Sequence, residues 1–158
     1  CGTCTLCCKL FPGPELDKPS GKRCRHIVQG RGCGIHATRP PVCRAFHCQW
    51  LYNPDLGPEW KPETAKFVLS IYPKSNTLAV TVDPGFPRNW AREPYISQLR
   101  RWSEVALAQG DCVVVFRGDH ATAILPDREV VLGALREGDV LATIRRGLAY
   151  DVEVRRHE

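Results

Sequence analysis

The chain has 158 residues and no methionine, and no run of 18 or more apolar residues occurs in it. The second absence excludes a transmembrane helix of ordinary length. Cysteine is almost missing after residue 48, where Cys112 stands alone. Residues 65–158 contain no glycine-rich phosphate loop, no Gly-x-Ser-x-Gly and no His-Glu-x2-His. The phosphate cradle, the nucleophile elbow and the helical zinc-protease pair built on those motifs are therefore excluded there. The acids Asp111, Asp119, Asp127, Glu137 and Asp139 fall at strand ends and turns, and no two of them read as an acid and base pair.

Acidic residues are also scarce at the start of the chain. Residues 1–60 carry eight Lys/Arg against four Asp/Glu, a net of +4, while residues 61–158 carry fourteen against thirteen, a net of +1. The surplus thus lies where the cysteines are. Thiols that bind metal become thiolates, and eight thiolates with two divalent ions cancel such a surplus. The arginines then read as counter-charges, and little is left for a nucleic-acid face. A chain that opens at Cys1 is read as a processed form or a fragment. A removed leader stays open, as does the Cys-Gly start of a mature lipoprotein.

What is present is sulfur. Cys1, Cys4, Cys7, Cys8, Cys24, Cys33, Cys43 and Cys48 lie in the first 48 residues, with His26, His36 and His47 among them. The opening Cys-x2-Cys-x2-Cys-Cys offers four sulfurs within eight residues, and each Cys-x2-Cys turn sets two at the separation one ion needs. Adjacent Cys7 and Cys8 point in different directions along the backbone, so they serve different sites or one of them bridges two ions. The later cysteines have mechanical neighbours. Gly32 and Gly34 allow tight folding beside Cys33, Pro40 and Pro41 stiffen the approach to Cys43, and Arg39 and Arg44 are placed to donate to an anionic cluster. Eight cysteines suffice for two four-sulfur sites; His26 and His47 are lesser candidates, as ligands or as donors to a ligand. The competing reading is a disulfide framework. Adjacent cysteines make strained pairs, and a chain of this size does not need stapling.

The run Cys-x2-Cys-x2-Cys-Cys, then Cys24-Arg-His-Ile, Gly32-Cys33-x-Ile-His36 and Arg39-Pro-x2-Cys43-Arg44-x-Phe46-x-Cys48-x-Trp50 resembles the bacterial YkgJ-type cysteine-cluster family, described as a zinc- or iron-chelating domain. The resemblance covers about residues 1–50. It implies metal chelation by Cys1, Cys4, Cys7, Cys8, Cys24, Cys33, Cys43 and Cys48, and assigns no reaction. His36 stands where family members often have tyrosine and is not counted as a ligand. Zinc suits thiolates and is the preferred metal, two or more ions being expected. An iron–sulfur cluster is the alternative, because Cys-x2-Cys-x2-Cys plus a distant fourth is ferredoxin-like; the match is partial, since Arg44 follows Cys43 where a ferredoxin has proline. A flagellin lysine methylase family carries a broadly similar cluster, which makes a redox protein or a protein-modifying enzyme the second functional reading by analogy. The expected compartment is the cytoplasm.

The expected fold class is α+β: a loop-rich, metal-bound cysteine module (1–60) packed on a mainly antiparallel sheet with one principal helix (61–158), as two units or one continuous one. Residues 51–64 read as a connector whose three prolines and one glycine forbid regular structure, with Trp50, Tyr52 and Trp60 packing the halves together. Residues 66–72 and 77–82 alternate and form a hairpin through Pro73–Asn76. A helix is expected over Pro94–Gln109, with Tyr95, Ile96, Leu99, Trp102, Val105 and Ala106 inward and Arg100, Arg101 and Glu104 outward. Cys112–Phe116 and 121–125 form a second hairpin through Arg117-Gly-Asp-His120. Residues 129–132 add a strand, and 140–144 with 148–154 close the chain as a hairpin. Cys112 reads as a core residue and His120 as a surface turn residue.

Overall fold

Period-two alternation in the second half builds a five-stranded sheet. The computed structural model describes residues 1–72 and 75–156. In chain order, the first part holds short pieces: α1 (Leu6–Leu10), β1 (Ile27–Val28), β2 (Gly32–Cys33), α2 (Pro41–Ala45), α3 (Gln49–Tyr52) and α4 (Pro62–Ala65). The second part holds β3 (Phe67–Ile71), β4 (Leu78–Val82), α5 (Tyr95–Ala108), β5 (Val113–Arg117), β6 (His120–Ile124), β7 (Glu129–Ala134), β8 (Val140–Arg146) and β9 (Ala149–Arg155). The fold is α+β. The sheet order is β3-β4-β5-β6-β7, antiparallel except for the parallel β4–β5 pair. A parallel pair needs a crossover, and α5 supplies it. The closing hairpin β8–β9 is a separate two-stranded sheet. Of the turn expected at Pro73–Asn76, residues 73 and 74 lie outside the described residues.

One sheet face packs under α5. Phe67, Leu69, Val80, Val82, Val113, Val115 and Ile124 meet Trp60, Trp90, Tyr95 and Leu99 in one core cluster. Trp60 stands edge-on to Tyr95 at 5.0 Å, and Tyr95 edge-on to Phe67 at 5.0 Å. These tilted aromatic contacts add to the area buried. The Tyr95 hydroxyl donates to the Glu59 carbonyl at 2.8 Å. The opposite face carries two smaller clusters. Val114, Ala121 and Ala123 pack with Cys112, Leu125 and Val152 beneath the closing hairpin. Val68 packs with Leu10 and Cys48, joined by Leu6, Phe11, Phe46 and Trp50. The cysteine region therefore has a core of its own, seated on the sheet at β3.

Several sequence expectations are corrected here. Residues 51–64 are not without regular structure: one 3-10 turn covers Pro58–Trp60, and α4 follows. Proline is tolerated in both because it occupies the first turn, where its missing N–H is not needed. Tyr52 does not glue the halves together; it is 64% exposed and stands 4.9 Å from the His47 ring. On α5, Tyr95, Leu99, Ser103 and Leu107 are buried, and Ile96, Trp102 and Ala106 pack against the core as expected, whereas Val105 is 59% exposed. Ser103 is accommodated because its hydroxyl donates to the Arg100 carbonyl at 2.8 Å within the same helix. Arg100 is not fully outward, and its Nε is buried without a partner. The helix ends as expected of glycine: Gly110 has φ +83°, and the Asp111 N–H reaches the Ala106 carbonyl at 2.9 Å.

Candidate metal centre

Four short elements carry the sulfurs. Cys1 and Cys4 flank a turn closed by the Cys4 N–H to the Cys1 carbonyl at 3.0 Å. Cys7 and Cys8 follow on α1. Cys43 sits on α2 and Cys48 at the start of α3. Cys24 reaches α1 through its N–H, which donates to the Cys8 carbonyl at 3.1 Å. Cys33 lies on β2, paired with Ile27 across the β1–β2 ribbon. Gly32 is required here: its φ is +96°, and a side chain would run into the Gly2 carbonyl. That contact lays the opening turn against β2.

All nine cysteines are free. Cys48 is buried, Cys1 exposed, and Cys4, Cys7, Cys8, Cys24, Cys33 and Cys43 are half-buried. Cys112 is buried in the sheet, with the Thr77 hydroxyl 3.8 Å from its sulfur. Among the described residues, no three His, Cys, Asp or Glu side chains are grouped so that they could hold an ion as placed. The sulfurs are neighbours and not a closed tetrahedron. The Sγ atoms of Cys7 and Cys8 are 4.0 Å apart, within reach of a thiol hydrogen bond. That separation corrects the expectation that these side chains diverge.

A cavity of about 20 Å³ is lined by Cys1, Cys4, Cys7 and Cys48, with Trp50, Leu51 and Pro62. It has room for a single small guest. Burial raises the Cys48 thiol, while the N–H groups of Trp50 and Leu51 act against that. The Cys7 thiol is pushed up, first by its hydrogen bond to Cys8 and then by burial. Cys8 comes down to about 7; the hydrogen bond from Cys7 is the main cause, and Lys18 assists against burial. The pair thus holds one proton tightly and gives up the other easily. Cys43 is raised by burial and then by the negative charge of Cys8, Cys24 and Cys33.

The sequence misplaced the counter-charges. Arg39 donates to the His36 carbonyl at 2.6 Å, Arg44 to the Arg39 carbonyl at 2.8 Å, and Arg25 to the Leu16 carbonyl at 2.8 Å. These three arginines therefore brace loops. The cation at the sulfurs is Lys18, a buried residue. Its ammonium donates to the carbonyls of Lys9 and Pro19, each at 3.3 Å, and to that of Phe11. Burial lowers its pKa, against the upward pull of Cys24, Cys8, Cys43 and Cys7. The signal for it was the turn-forming Pro12-Gly-Pro-Glu-Leu-Asp17 just before it, which folds residues 13–18 back on themselves.

His36 and His47 are exposed, and His26 is half-buried with its carbonyl accepting from the Gly34 N–H at 2.8 Å. Exposed His120 pairs with Asp119 at 2.8 Å. Comparison with family models, with curated proteins and with solved structures finds no match. Among the described residues, no helix is long and apolar enough to cross a membrane.

The donor set suits a thiophilic ion: eight free thiols on one small module, one of them titrating near neutrality, with a buried ammonium beside them. The cysteines named above would hold the ion through thiolate sulfur. Zinc held this way would supply cross-linking of the loops and no redox chemistry.

Proposed function

We propose that this chain is a zinc-binding cysteine-cluster protein in which the metal fixes the first sixty residues against the sheet. The observation that carries this is the gathering of eight free cysteines into one module, with none of them used in a disulfide. A module of four- and five-residue helices and two-residue strands has only a small apolar core of its own to hold it together. Zinc binding in small sites is worth on the order of 10–16 kcal/mol, which is ample for that purpose. The YkgJ-type resemblance of residues 1–50 points the same way and makes membership of that family part of the proposal. We place the protein in the cytoplasm, where thiols stay reduced. Three of the five arginines in the first sixty residues, Arg25, Arg39 and Arg44, brace loops, so nucleic acid is not the proposed partner.

A second reading has one observation in its favour. The cavity joins Cys1, Cys4 and Cys7 to Cys48, which is a Cys-x2-Cys-x2-Cys run with a distant fourth. That is the ligand pattern of a four-iron cluster, and it would make the chain a redox protein or a protein-modifying enzyme. Elemental analysis and a visible spectrum of protein purified anaerobically from its native host separate the two. Colourless protein with stoichiometric zinc is expected. Brown protein with iron and sulfide establishes the second reading, and metal-free folded protein ends both.

A further inference from the structure

We infer that the eight cysteines are divided four and four between two adjacent metal sites, Cys1, Cys4, Cys7 and Cys48 in one and Cys8, Cys24, Cys33 and Cys43 in the other. This rests on the metal-binding reading and adds which sulfurs share an ion. Sequence order alone would divide the chain differently, grouping the four cysteines of the opening octet and then the four that follow. The fold exchanges Cys8 for Cys48.

The first set follows from the cavity, which these four cysteines line. Two come from the opening turn, one from α1 and one from the start of α3. Cys48 reaches this group because its neighbourhood is the apolar cluster with Leu10 and Val68, and Cys7 packs against that same cluster. Cys48 is thus held beside α1 by burial, without help from a metal.

The second set is assembled around Cys8. The backbone bond from Cys24 to the Cys8 carbonyl brings the 19–24 loop to α1. The Ile27 N–H then donates to the Cys24 carbonyl at 3.2 Å, and Ile27 is the cross-strand partner of Cys33. Cys24 and Cys33 therefore lie at one end of the β1–β2 ribbon, the end that faces Cys8. Cys43, on α2, is the module's remaining thiol and lies outside the cavity. The two sets meet at Cys7 and Cys8, adjacent on α1 with sulfurs 4.0 Å apart.

Each set offers four sulfurs to one ion, the donor set of a closed zinc site. No histidine is needed in either. Because the junction sulfurs are adjacent, the two ions would be neighbours, and filling one site would order α1 for the other.

Native mass spectrometry of the zinc-loaded full chain tests the division through paired substitutions. The unaltered chain is expected to carry two ions. Cys4→Ser with Cys48→Ser removes two ligands from one set, and one ion should remain. Cys24→Ser with Cys33→Ser should likewise leave one. Cys48→Ser with Cys33→Ser takes one ligand from each set and should leave both sites defective, with neither ion surviving a chelator that the unaltered chain withstands. Equal retention in all three pairs overturns the division. The unaltered chain loaded with cadmium-113 gives a readout independent of any folding defect in the variants. Each of two cadmium signals should correlate with the β-protons of four cysteines, grouped as above. Two ions with another grouping sink the division but leave metal binding standing; no bound ion sinks both.

Discussion

Lys18 illustrates what a single residue contributes. A buried ammonium is costly unless its protons are met, and here three carbonyls meet them, those of Lys9, Phe11 and Pro19. The same charge also helps to lower the Cys8 thiol, which favours thiolate there. Replacing it with methionine keeps the apolar stem and removes both roles. We expect Lys18→Met to destabilise the chain by about 1.5–3 kcal/mol, the range for a hydrogen bond to a charged group, and to weaken zinc retention. Denaturant titration and chelator competition check this, and an unchanged value in both would show that the ammonium does nothing for the sulfurs. The ligating residue types were legible in the sequence because cysteine density is itself the signal. The counter-charge was not. Arginines next to cysteines looked suited to the task, but a backbone carbonyl was the nearer partner in each of the three cases described. Lys18 had only an indirect signal, the turn-forming stretch before it, because its burial depends on how residues 13–18 fold back.

At the scale of elements, the question is what holds α1 to the sheet. Apolar contact through Leu10 and Val68 is one tie. The other is an ion pair from Lys9 Nζ to Asp83 Oδ1 at 2.7 Å, with the Gly85 N–H donating to the same oxygen at 2.9 Å. Asp83 is buried, and burial alone would push its carboxyl up. Lys9, the Gly85 N–H and Lys66 together outweigh that and hold it below the usual carboxylate range. A carboxyl with a folded pKa below its unfolded value of about 3.9 stabilises the fold above that value. The contribution disappears as the pH falls through the lower, folded value. Asp83→Asn should therefore cost about 1–2 kcal/mol at pH 7, toward the low end of a charged bond because Lys9 is partly exposed. It should also flatten the acid limb of stability. Denaturant melts from pH 3 to pH 7 measure both; a variant that keeps the native acid dependence would show that this tie does not matter. This link joins residues 74 positions apart, and no local pattern announces it. Strands and the long helix were legible because periodicity is local. Within α5, Val105 was placed inward and Leu107 was overlooked: polar Ser103 interrupted the true stripe, and only its bond to the Arg100 carbonyl makes it a core residue.

For the whole molecule, the sheet and the cysteine region stabilise each other through shared residues. Trp60 precedes the first strand of the sheet yet lies in the main core with Phe67, Tyr95 and Leu99. Val68, on the other face, closes the small core of the cysteine region. The class of the fold followed from alternation and one amphipathic helix. The small core did not, because Leu6, Leu10, Phe11 and Phe46 are scattered singly among cysteines and show no period.

The measurement that bears most directly on this account is thiol protection in native-host protein. Cys1 is exposed and six other cysteines are half-buried, so without bound metal they should alkylate readily. The account predicts that they resist a maleimide reagent until a chelator is added. Cys1, Cys4, Cys7, Cys8, Cys24, Cys33 and Cys43 should then react together, while buried Cys48 and Cys112 react later. Immediate reaction without a chelator, or thiols that stay silent even in denaturant because they are paired as disulfides, would contradict it.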